Sequence, residues 1–143
     1  MTTGVRLGVD VGSVRIGVAA SDPEGVLATP VTVIPRSRRS QADLDAIAAL
    51  VIEREVVEVV VGLPRSMSGR EGAAAESARE FALALGDRIA PVPVRLLDER
   101  LSTVQATRGM RQAGISSRKG RASVDAAAAA VILQHALDAE RSK

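Results

Sequence analysis

The chain of 143 residues contains no cysteine, which excludes disulfides and thiolate metal sites alike. A single histidine, His135, excludes a histidine-built zinc centre as well. Any metal must therefore rest on oxygen donors, which suits magnesium, manganese or calcium. Aromatic residues amount to 1% of the chain, with Phe81 alone. Proteins that hold single strands of nucleic acid stack bases on aromatic platforms, and none can be built here. A nucleic-acid partner would be gripped by backbone and shape, with little base reading. Apolar runs are broken by charge well before a membrane-spanning length, and no signal-peptide pattern opens the chain. The expectation is a cytoplasmic protein without membrane contact.

What is present is the composition of a folded protein, 46% hydrophobic and 25% charged, at a length that suits one domain over residues 1–143. Net charge is only +2, but its distribution is uneven. Between Glu99 and Asp125 lie six cations, Arg100, Arg108, Arg111, Arg118, Lys119 and Arg121, and no acid. A solvated helix face with a loop would account for them, yet such clustering is also the footprint of a phosphate-rich partner.

In "RLGVDVGSVRIGVAASD" two strands are expected over residues 7–11 and 15–20, joined by a turn at Gly12-Ser13. Residues 25–34 read as a third strand, at a sheet edge because of Pro30. A helix follows with Ser40 as its cap, Asp43 and Asp45 in its first turn, and Leu44, Ile47, Ala48 and Val51 on one face. The β-branched run at 56–64 suits a central parallel strand covered on both faces. A second helix carries Ala74, Ala78, Phe81, Ala82 and Leu85, with Gly86 as its terminal cap. A fifth strand is expected over 93–97 and a helix from Ser102 to a cap at Gly114. The basic loop 116–122 then leads into a last helix over 123–140, apolar nearly all round through "DAAAAAVILQ" and meant to lie on the sheet. This order implies an α/β fold: an antiparallel meander joined to parallel strands in one mixed five-stranded sheet, with helices on both faces.

Asp10 is out of place in that scheme. A carboxylate buried in an apolar strand without compensation would take up a proton, so either the strand end is exposed or a positive partner exists. Topology brings Asp10, the Asp98-Glu99 pair and Asp125 to the carboxyl edge of the parallel strands, where ligands gather in open sheets. Taken singly each acid has an ordinary explanation: a strand end for Asp98-Glu99, and a dipole-complementing acid in the first turn of the last helix for Asp125. Together they would repel one another, and a divalent cation removes the conflict. Two such ions clamp the attacking and leaving oxygens in phosphodiester hydrolysis, with no nucleophile required from the protein. Asp10 is accordingly read as a metal ligand.

The blocks "GVDVGSVRIGVAASD", "VVVGLP", "LLDERLST" and "VDAAAAAVILQ", in this order and spacing over nearly the whole chain, resemble the YqgF/RuvX family. Members of that family are assigned as Holliday junction resolvases or pre-ribosomal RNA nucleases of bacteria. The resemblance implies a ribonuclease-H-like fold and carries over Asp10, Glu99 and Asp125 as catalytic, metal-binding acids for Mg2+ or Mn2+. It also implies 5′-end maturation of the small-subunit ribosomal RNA as the usual role. Many better-known relatives of the fold place their second acid at the end of strand four, where this chain has "GLP". The acid must then come from strand five, where Asp98 and Glu99 are both eligible; Glu99 is preferred for its reach and the family pattern. Arg15, Arg100 and Arg121 are candidate phosphate contacts along with the rest of the basic segment, whereas Gly12 and Gly17 serve the turn and packing. Ser102 and Thr103 read as helix caps, and His135 as a packed core residue. The substrate is an RNA precursor or a branched DNA. A symmetric junction would favour a homodimer.

Two rival readings share these features. "D-x-G-S-x-x-[RK]-x-G" is similar to the first phosphate turn of actin-like ATPases and sugar kinases, which need a second domain and a second phosphate loop. A non-catalytic RNA-binding assembly factor would use the basic segment alone and be indifferent to Asp10.

Overall fold

The five expected strands exist and join into one sheet of order β3-β2-β1-β4-β5. They are β1 (Val5–Val11), β2 (Arg15–Ser21), β3 (Ala28–Pro35), β4 (Val56–Leu63) and β5 (Val94–Asp98), interleaved with helices α1 (Ala42–Glu53) and α2 (Ala73–Ile89) and followed by α3 (Arg118–Arg141). The computed structural model describes residues 3–37, 39–64, 72–98 and 118–141, with side chains of the last stretch from Asp125 onward. The helix expected from Ser102, its Gly114 cap, and residues Glu99, Arg100, Arg108 and Arg111 lie outside the described residues.

β1 pairs antiparallel with β2 and parallel with β4, β2 antiparallel with β3, and β4 parallel with β5. Pro30 lies on β3, the edge strand, where its missing N–H removes no ladder bond that a neighbour needs.

Strand alternation sorts the side chains into two layers. Leu7, Val9 and Val11 of β1, Ile16 and Val18 of β2, and Val59, Val61 and Leu63 of β4 pack with Leu44, Ile47 and Val51 of α1 and with Ala78, Phe81 and Leu85 of α2. The opposite face carries Ala19, Val60 and Leu97 against Ala129, Ile132, Leu133, Ala136 and Leu137 of α3. Burial of Ile132, Leu133 and Leu137 stabilises this layer by about 1.5–3 kcal/mol each. Gln134 fastens the same helix to the β2–β3 connection: its Oε1 accepts the Ala28 N–H at 2.9 Å and its Nε2 donates to the Val26 carbonyl at 2.9 Å.

Five local expectations are corrected. α1 starts at Ala42 rather than on a Ser40 cap; Ser40 Oγ accepts the Ala42 N–H at 3.3 Å and bonds Ser37 Oγ at 2.6 Å, while Asp43 turns inward and is buried. Gly86 does not end α2, which continues one turn to bury Ile89 and stops before Pro91, and it is Ala75 rather than Ala74 that faces the core. α3 begins at Arg118 instead of 123, so Arg118, Lys119 and Arg121 are helical and Asp125 stands nearly two turns in. His135 is exposed, not packed.

Candidate functional site

Arg6, Gly8 and Asp10 alternate with the apolar residues of β1 and so share the α3 face of the sheet. The helix comes unusually close there. A Cβ on Gly8 would lie 2.6 Å from Leu133 Cβ and 2.7 Å from the Ala129 carbonyl oxygen. On β2, a Cβ on Gly17 would lie 2.0 Å from the Asp125 carbonyl oxygen and 3.1 Å from the Ala126 nitrogen. Only glycine permits contacts that short, and α3 carries an alanine run just after Asp125.

Gly17 is the register partner of Asp10. Residues so paired in an antiparallel ladder have Cα atoms about 4.5–5.5 Å apart. Asp125, resting on Gly17, is therefore brought beside Asp10 on one face, at the carboxyl end of β1. Both carboxylates are buried, Asp10 with 1% and Asp125 with 2% of its surface exposed. The pairing of strand and helix thus brings two hard-oxygen donors together in a sheltered place, a donor set that fits magnesium or manganese.

Arg15 opens β2 on the same face. Its Nε donates to Asp125 Oδ2 at 2.8 Å, and 23% of the Arg15 side chain remains exposed. The expected phosphate contact is thus engaged with an expected metal ligand. Asp98 is placed differently. It pairs in register with Leu63 and shares the parity of Leu96, which packs on the α1/α2 layer, whereas Leu97 packs on the α3 layer. Asp98 lies on the face opposite Asp10. Among the described residues no group of three or more His, Asp or Glu side chains could hold a metal.

Two arginines that sequence reading left without a role hold this region in place. Arg36, just after β3, donates from Nη1 to the Gly12 carbonyl at 2.9 Å and from Nη2 to Ser77 Oγ at 3.2 Å. Its Nε stands 3.7 Å from Asp43 Oδ2, and its guanidinium lies 5.4 Å from the centre of the Phe81 ring. Its backbone N–H donates to the Val14 carbonyl at 2.8 Å, so the β1–β2 turn is held from two directions. Arg6, buried at the start of β1, lies 3.6 Å from Glu58 and 3.4 Å from Glu140, tying β1 to β4 and to the end of α3. An arginine at a strand start and one in a polar loop carry no pattern that distinguishes them from surface residues.

The sequence matches the RuvX family, described as Holliday junction resolvase, over residues 4–139. A protein of Frankia casuarinae provisionally named pre-16S rRNA nuclease is 61% identical over 137 residues, which cover 96% of this chain and 68% of that one. A protein of Nocardioides sp. with the same provisional name is 56% identical over 147 residues, 99% of this chain and 92% of its own length. Among solved structures, Thermus thermophilus RuvC in complex with a Holliday junction substrate is similar at a TM-score of 0.54 and 17% identity, covering 96% of each chain. That likeness shows a shared fold, the ribonuclease-H-like one. Among the described residues no helix is long and apolar enough to cross a membrane.

Proposed function

The chain belongs to the RuvX family, and from that premise we propose that it is a nuclease of structured nucleic acid whose main task is 5′-end processing of pre-16S rRNA. The observation that carries the chemistry is the burial of both Asp10 and Asp125, with the Asp125 backbone resting on Gly17, the register partner of Asp10. Asp10 and Asp125 are assigned as ligands for magnesium or manganese, two ions in the active complex. Asp98 faces the other layer, and Glu99 is assigned as the third carboxylate. When bound, the ions stabilise charge on the phosphate and on the departing oxygen and activate water.

The chain's own residues do the rest. Asp10 is placed by the strand ladder opposite Gly17. Gly17 admits the α3 backbone and fixes Asp125 beside it. Arg118, Lys119 and Arg121, in the first turns of the helix that carries Asp125, are assigned to neighbouring phosphates, as are Arg100, Arg108 and Arg111. With Phe81 buried among α1 and α2, recognition rests on phosphate spacing and duplex shape.

The test uses wild type and Asp10→Asn with two labelled substrates, a precursor RNA spanning the mature 5′ end and a four-way DNA junction, each with magnesium, manganese or chelator. The expected result is metal-dependent cleavage of the RNA, lost in the variant. Loss should exceed the roughly 10–100-fold typical of removing a residue that only supports a ligand. Cleavage of the junction alone assigns the chain to DNA resolution and favours a twofold dimer. Binding by both proteins without cleavage of either substrate replaces the nuclease with an assembly factor.

A further inference from the structure

Arg15 joins two environments. Its Nε is committed to a carboxylate that is 2% exposed, while the residues before it, Ser13 and Val14, form the exposed tip of the β1–β2 turn. A guanidinium has five donors in a planar fork that matches carboxylate and phosphate equally well. The same group can therefore be handed from one to the other over a short movement. A guanidinium and a divalent ion on Asp125 also repel each other, so each weakens the other's hold.

Resting on the nuclease reading above, we propose that Arg15 is a positioning residue that couples substrate binding to metal binding. In the ligand-free protein its guanidinium is paired with the buried Asp125 carboxylate. An incoming backbone phosphate takes over the fork, and Asp125 is released to the ion. The site then gains its full metal affinity only when nucleic acid is present. Reciprocity requires that metal tighten nucleic-acid binding by the same factor.

The test measures Mn2+ binding by electron paramagnetic resonance in wild type, Arg15→Gln, Arg15→Lys and Asp10→Asn, alone and with a phosphorothioate precursor RNA that resists hydrolysis. In the wild type, RNA should tighten Mn2+ binding by about tenfold, within the usual range of coupling between sites. Arg15→Gln should bind Mn2+ more tightly than wild type without RNA, and RNA should add little. Arg15→Lys keeps the charge but not the fork, so its Mn2+ affinity without RNA should stay near wild type while the coupling weakens. It also serves should the glutamine variant not fold. Equal coupling in wild type and both variants overturns the inference, as does a tighter Arg15→Gln site with undiminished coupling. Mn2+ binding that Asp10→Asn abolishes but Arg15 variants leave unchanged overturns this inference alone. Absence of Mn2+ binding in the wild type overturns the proposed function with it.

Discussion

Gly17 carries the backbone of Asp125: the space a Cβ would fill is taken by that residue's carbonyl oxygen, 2.0 Å away. Gly17→Ala must push α3 off the sheet where Asp125 rests on it. Destabilisation of about 1–3 kcal/mol is expected from the overlap. A shift of an ångström at the site should lower cleavage by about 100-fold. Urea unfolding and the RNA cleavage assay measure the two effects separately.

Gly86 gives the opposite sign. It lies inside α2, and the nearest atom to its absent Cβ is Val94 Cγ2 at 3.9 Å, an ordinary contact. Gly86→Ala should therefore stabilise the protein by about 0.5–1 kcal/mol through helix propensity. The urea midpoint should rise and the cleavage rate should not change.

Arg36 holds the β1–β2 turn to α1 and α2 through Gly12, Asp43, Ser77 and Phe81. Arg36→Ala removes these bonds and leaves Asp43 buried without the guanidinium, a loss of about 3 kcal/mol in the unfolding free energy. Arg36→Lys restores one charge but not the fork and should recover less than half.

Asp22 accepts backbone N–H bonds from Leu27 and Val26, both at 2.8 Å, and these hold its carboxyl below the ordinary aspartate value. A folded pKa below the unfolded one means that the contribution to stability is complete above the unfolded value, about 3.9, and is lost as pH falls through the folded value. The difference in melting temperature between wild type and Asp22→Asn should shrink as the buffer is taken below about pH 4.

Replacing Arg118, Lys119 and Arg121 one at a time by Gln should weaken RNA binding at every sequence tested. Each lost phosphate contact should also reduce the slope of log affinity against log salt by about 0.7–0.9. An unchanged slope removes that residue from the interface.

Much of this arrangement was legible in the sequence because its signals are periodic. Alternation in β1 and β2 located the sheet and exposed Asp10 as the exception, and the β-branched run of β4 marked an interior strand. Ends of helices were less legible, since the local signals there are weak beside packing. Gly86 resembles a stop, but a glycine costs a helix only about 1 kcal/mol, which burial of Ile89 offsets in α2. Ser123 followed by Asp125 resembles a cap and a first turn, yet the helix runs through them from Arg118. Asp43 stands in the first turn of α1 as expected; its inward turn depends on Arg36 and the Ser37 N–H, which bonds it at 3.0 Å, and no pattern in the chain announces that loop geometry. The tie between Arg15 and Asp125 spans 110 positions and becomes visible only once α3 is laid on the sheet.

Asp10 stands between Val9 and Val11, whose side chains enter the opposite layer. A strand has a strict period of two, so sliding β1 by one residue against β2 and β4 would exchange its faces. The slipped chain would drive a charged group into the oily layer under α1 and α2 and strand two valines against the glycine seam. Such a chain would be far less stable than the native one, so the carboxylate also guards the fidelity of folding. Neutralising it should leave a protein that folds, but one with less protection against assembling out of step.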